Sequence, residues 1–122
     1  MYTSHIFKTS MKNAVPTDLS SYQCPVTFCL NIIGGKWKPI IIYLVSNGQN
    51  RFGMLKRSIK GISKQMLTSQ LRELESDGIF NRVVLQVVPP KVEYTLTQRG
   101  TSLLPVIQTM ENWGNLEMSS SH

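Results

Sequence analysis

Histidine, cysteine and acidic side chains are all scarce in this 122-residue chain, and each shortage excludes something. The two histidines, His5 and His122, lie near the chain ends, so no Ser/His/Asp or Cys/His pairing is placed for nucleophilic catalysis. Without a glycine-rich phosphate loop as well, the sequence reads as a non-enzyme with no cofactor and no metal site. The two cysteines, Cys24 and Cys29, stand five apart, which is neither metal-ligand spacing nor a disulfide framework. Reduced thiols in a cytoplasmic protein are the expectation. No apolar run approaches the roughly 20 residues that cross a bilayer, and the N-terminus lacks the hydrophobic stretch of a signal peptide.

Seven acids face thirteen Lys and Arg, a formal +6, and the excess is concentrated. Residues 36 to 99 hold eleven bases against four acids, a net +7, while the flanks are close to neutral. A polyanion would meet the middle of the chain first. Nucleic acid is therefore the leading partner class, with an anionic membrane as its rival. Hydrophobic residues at 41% and charged residues at 16% suit one folded domain of this length.

Residues 1 to 23 show no hydrophobic period and read as an N-terminal arm that is loose or docks on a partner. In CPVTFCLNIIGG, Pro25 suits a first helical position, Val26, Cys29, Leu30 and Ile33 recur at helical spacing, and Gly34 is a stop. WKPIIIYLVSNGQ reads as a buried helix with Pro39 in its first turn, although its isoleucines would also suit a strand. RFGMLKRSIKG aligns Phe52, Leu55 and Ile59 on one stripe of a short amphipathic helix ended by Gly61. After the turn Gly61-Ile62-Ser63, a helix capped by Ser63 runs to Asp77, with Gly78 beyond it; two helices joined so tightly make a helix-turn-helix. IFNRVVLQVV and KVEYTLT flank Pro89-Pro90 and read as a hairpin with a long, stiff tip. Thr97 can cap a last helix to about Trp113, bent or interrupted at Pro105.

The helix in GISKQMLTSQLRELESDG carries the sharpest signal. Leu67, Leu71 and Leu74 form one stripe, so Gln65, Ser69, Arg72 and Ser76 lie opposite, flanked by Lys64 and Thr68, with Glu73 and Asp77 toward the other side. An outward row without acid, built from side chains that bond base edges and phosphates, suits a DNA groove. A plain solvated face is the competing reading, in which Arg72 pairs with neighbours such as Glu75. The basic middle segment and the following hairpin with Lys91 favour DNA. A protein-interaction module without specific DNA binding is the alternative; it would need an apolar patch on this face, which Gln65, Ser69 and Arg72 do not supply.

CPV, IGGKWK, RFGML, GISKQMLTSQLRELESDG, VPPKVEYTLT and LLPVI…WG, in that order, resemble the HxlR-type family of bacterial winged helix-turn-helix transcriptional regulators, over residues 24 to 114. The resemblance implies a mainly α, α+β fold: a winged helix-turn-helix domain over residues 24–115, with an added N-terminal helix, a C-terminal dimerisation helix and a short tail at 116–122. It also implies a homodimeric repressor that sets two helices into successive major grooves of a pseudo-palindromic double-stranded operator. Carried over by position, Ser63, Lys64, Gln65, Thr68, Ser69 and Arg72 become DNA-facing, and Arg51 and Lys91 become phosphate contacts. Some family members sense oxidants or electrophiles through a cysteine matching Cys24, and others assign that cysteine no role. A small-molecule or oxidant inducer, and redox sensing at Cys24, are thus left open. Cys29 is expected in the core, and Trp37 and Trp113 are expected to pack domain and dimer cores.

Overall fold

A computed structural model of the chain describes residues 24–120, so the arm assigned to residues 1–23 lies outside the described residues, as do His5 and His122. The order is α1 (Pro25–Ile33), α2 (Lys38–Ser46), α3 (Phe52–Ser58), α4 (Lys64–Ser76), β1 (Phe80–Leu85), β2 (Lys91–Leu96), α5 (Gln98–Thr101) and α6 (Leu104–Ser120). The chain divides into one unit up to Asn31 and another from Ile32 onward. The first contributes only Cys24 and most of α1 to the described residues. Its Val26, Phe28 and Leu30 are exposed and Cys29 is half-buried rather than core.

The second unit is built on the leucine and isoleucine stripes. Ile41, Ile42 and Val45 of α2, Leu55 of α3 and Leu67, Leu71 and Leu74 of α4 are buried together with Ile59, Ile62, Ile79, Phe80 and Ile107. The isoleucine-rich segment is thus helix, not strand. Pro39 sits in its first turn, where a missing N–H costs nothing. α3 packs on α4, α4 on β1, and α2 on both β2 and α6. The α3 helix stops at Ser58, earlier than Gly61, because Ile59 turns extended (φ −100°, ψ 102°) to reach the core. Gly61 then takes φ +86°, a conformation that favours glycine, and lets Ile62 tuck inward.

β1 and β2 pair antiparallel in a two-stranded sheet, from Phe80 opposite Leu96 to Leu85 opposite Lys91. β1 is shorter than its apolar run: Ile79 is a buried corner residue, and Gln86 to Pro90 form the tip, where Val88 is 99% exposed. The hairpin is therefore a projecting wing. Its root is fastened by Tyr94 N–H donating to the Asn50 carbonyl (2.9 Å) and by the tilted Phe80–Tyr94 ring pair.

The expected last helix is two helices. Thr97 caps α5 by accepting from Gly100 N–H (2.9 Å), the chain turns at Ser102–Leu103, and Pro105 falls in the first turn of α6. That is the interruption expected at the proline. α6 then runs past Trp113 to Ser120, so residues 116–120, expected as tail, are helical: Leu116, Glu117 and Met118 are good helix formers and nothing after Gly114 breaks the turn.

Candidate nucleic-acid interface

The outward face of α4 begins at its cap. Ser63 accepts a hydrogen bond from Met66 N–H (3.0 Å), which fixes the helix start and leaves the preceding N–H groups at its positive end facing outward. With the three leucines buried, Lys64, Gln65, Ser69 and Arg72 are all exposed, while Thr68 is half-buried. The structure brings these five together on one face, with Ser63 at its leading edge. Arg72 makes no ion pair among the described residues, so the alternative pairing with Glu75 does not occur. Met66 is the one exposed large apolar side chain of α4, short of the patch that a protein-binding face requires.

Two hydroxyls on this face are already engaged. Thr68 Oγ1 donates to the Lys64 carbonyl (2.8 Å) and Ser69 Oγ donates to Glu73 Oε2 (3.4 Å). The row itself is acid-free, yet Glu73 abuts it, one turn beyond Ser69. That carboxylate is held by Lys38 of α2, whose ammonium bonds Oε1. The Lys38 bond and charge keep the Glu73 carboxyl below the usual range, with a smaller contribution from Ser69. Lys38, which flanks Trp37 and would be solvated or touch phosphate on sequence grounds alone, is 8% exposed and turned inward. Lys36 instead lies over the Trp37 ring, 4.7 Å from its centroid.

Two further candidate cations lie on the wing and beside it. Lys91, at the start of β2, is exposed beside the tip. Arg51, the residue before α3, donates through Nε (3.2 Å) and Nη2 (2.9 Å) to Glu93 of β2. Arg51 thus anchors the wing to the helical part, with its Nη1 left for an outside acceptor. The spacing of 42 residues hides this pair from any local pattern.

Elsewhere, Cys24 precedes α1 and its carbonyl accepts the first helical bond from Phe28 N–H (2.9 Å). Its thiol pKa is lowered, chiefly by the backbone N–H of Thr27, then by the Thr27 side chain and the backbone of Val26. On α6, Trp113 is 67% exposed and Leu116 and Met110 are exposed too, so Trp113 does not pack the domain core. With Pro39, Ile40 and Tyr43 of α2, this helix borders an open, largely apolar groove of about 360 Å³. Among the described residues no cluster of His, Cys, Asp or Glu is arranged to hold a metal, and no single helix is long and apolar enough to cross a membrane.

Comparison with known proteins agrees with this geometry. The HTH-type transcriptional regulator YybR of Bacillus subtilis is 52% identical over 91 residues, 75% of this chain and 73% of that protein. A solved structure of the redox regulator HypR in its oxidized form is 51% identical, with a TM-score of 0.73 over 75% of this chain and 95% of that one. The reduced form of the transcriptional regulator YodB from B. subtilis is 38% identical, with a TM-score of 0.66 over 76% of this chain and 92% of that one. The family model described as HxlR-like helix-turn-helix matches residues 32–122. A helix-turn-helix, a two-stranded wing and this run of matches together mean that the chain belongs to the HxlR-like helix-turn-helix family of transcriptional regulators.

Proposed function

We propose that this regulator is a homodimeric, sequence-specific DNA-binding repressor that reads its operator with the outward face of α4. The observation that carries the reading is that face: Lys64, Gln65, Ser69 and Arg72 exposed together, with the leucines behind them fully buried. Lys64, Gln65, Thr68, Ser69 and Arg72 contact bases and phosphates, Ser63 starts the helix at the backbone, and Lys91 with the free edge of Arg51 holds flanking phosphates. The exposed apolar residues of α6, led by Trp113 and Leu116, support self-association through that helix.

A footprint with the purified protein upstream of its own gene tests the reading. Two protected half-sites about one helical turn apart are expected. Affinity should fall by roughly a thousandfold between 50 and 200 mM salt, as for a dimer with about six or more phosphate contacts. Uniform, sequence-independent protection would contradict it.

A second reading, redox control, is favoured by one observation: a partly accessible thiol at the start of α1 whose thiolate is stabilised by helix N–H groups. Similarity to the redox regulator HypR points the same way. Oxidation of Cys24 would release the operator.

A further inference from the structure

Lys38 is the one buried charged side chain among the described residues, and it sits on α2, not on the helix assigned to DNA. Taking an ammonium out of water is costly unless it is paired, so this lysine calls for a reason in its partner. The partner, Glu73, is 53% exposed and lies on the reading helix. Its Oε1 is clamped by Lys38, and its Oε2 receives the Ser69 hydroxyl at 3.4 Å. A Ser and a Glu four apart on a free helix surface would share only a weak, easily rotated contact. Here the carboxylate is held from behind by a fixed cation.

The polarity of Ser69 follows. A hydroxyl has one proton to donate and two lone pairs to accept with, whereas an ionised carboxylate accepts only. With its proton directed to Glu73, Ser69 has only lone pairs to offer outward. In the major groove the exocyclic amino groups of adenine (N6) and cytosine (N4) are donors, while guanine N7 and O6 and thymine O4 accept.

We propose that Lys38 and Glu73 are positioning residues for sequence recognition: Lys38 holds the Glu73 carboxylate beside Ser69 and draws the Ser69 proton toward it, so that Ser69 meets the groove as an acceptor and selects an amino-bearing base, adenine or cytosine, at one position of each half-site. This rests on the DNA-binding reading of α4. Thr68, whose proton goes to the Lys64 carbonyl, faces the groove with the same polarity, but through its own backbone and independently of Lys38.

Selection from a randomised duplex library with the full chain tests the inference, comparing the unaltered protein with Ser69→Ala, Glu73→Gln and Lys38→Met. The unaltered protein should favour adenine or cytosine at one position by about tenfold, the scale of one hydrogen bond, and Ser69→Ala should abolish that preference. Glu73→Gln offers Ser69 an amide N–H, which frees the hydroxyl proton. Both it and Lys38→Met should relax the same position while leaving the positions read by Gln65 and Arg72 unchanged. If either variant fails to fold by circular dichroism, the other decides. The inference is overturned if the folded variants keep the original preference there, if Ser69→Ala alters no position, or if that position prefers guanine or thymine. Loss of selection at every position in a folded variant also overturns it, since the pair would then set the placement of α4 and not the polarity of Ser69. An unaltered protein that selects no sequence removes the DNA reading itself, a result distinct from all of these.

Discussion

Cys24 shows what a single residue gains from its place at a helix start. The N–H groups of Thr27 and Val26 have no partner within the helix and turn toward the sulfur, so the deprotonated form is favoured. The lowered pKa populates the thiolate at a pH where an ordinary cysteine is still protonated. Alkylation by iodoacetamide, followed against pH, should therefore reach half its maximal rate at Cys24 below the pH required by a free cysteine peptide. If oxidation controls binding, mild diamide releases operator DNA and Cys24→Ser prevents release; an unchanged response in the variant removes Cys24 from the mechanism. At this scale the sequence was legible where chemistry is local. Ser63 and Thr97 were recognisable as caps, and Leu67, Leu71 and Leu74 as buried, because each depends on neighbours within a turn or two. Lys38 and Arg51 were not, because their carboxylates lie 35 and 42 residues away and only the tertiary fold brings them near.

Among the elements, the junction of wing and α5 leaves no room for a side chain at Gly100. A Cβ placed on Gly100 would stand 2.2 Å from the Ile79 carbonyl oxygen and 2.9 Å from Leu96 Cδ2. The first neighbour is backbone and cannot swing aside. That same carbonyl accepts from Thr97 N–H (3.0 Å), so α5, the end of β2 and the start of β1 meet at one point. Gly100→Ala should cost about 3 kcal/mol, at the upper end of overpacking effects. Thermal unfolding should then shift down by roughly 10 °C or more for a domain of this size. A shift of only a degree or two would show that the corner yields. The helix-turn-helix and hairpin were legible because period and turn chemistry announce them. The element ends were not: Ile59 leaves its helix to reach the core, and α6 continues beyond Gly114 because a glycine alone does not stop a helix whose next residues favour it.

For the whole molecule, one helix exposes apolar surface and another exposes polar surface. α6 exposes Trp113, Leu116 and Met110, surface that the proposed homodimer would bury, while α4 exposes a face with cations and amides and little apolar area. Two copies joined through the first would present two of the second, and a palindromic operator is the matching arrangement. Family membership was legible in the order of motifs spread along the chain; which α4 side chains stay exposed is what supports the proposed reading face. The most direct measurement is an anisotropy titration of the footprinted operator and of a scrambled duplex at one salt concentration. It compares the unaltered protein, the double variant Gln65→Ala/Arg72→Ala, and Lys91→Ala. The double variant should lose roughly tenfold or more in operator affinity with little change on scrambled DNA, whereas Lys91→Ala should weaken both duplexes by a similar factor. A double variant that keeps the full ratio of operator to scrambled affinity would contradict the assignment of α4 as the reading helix.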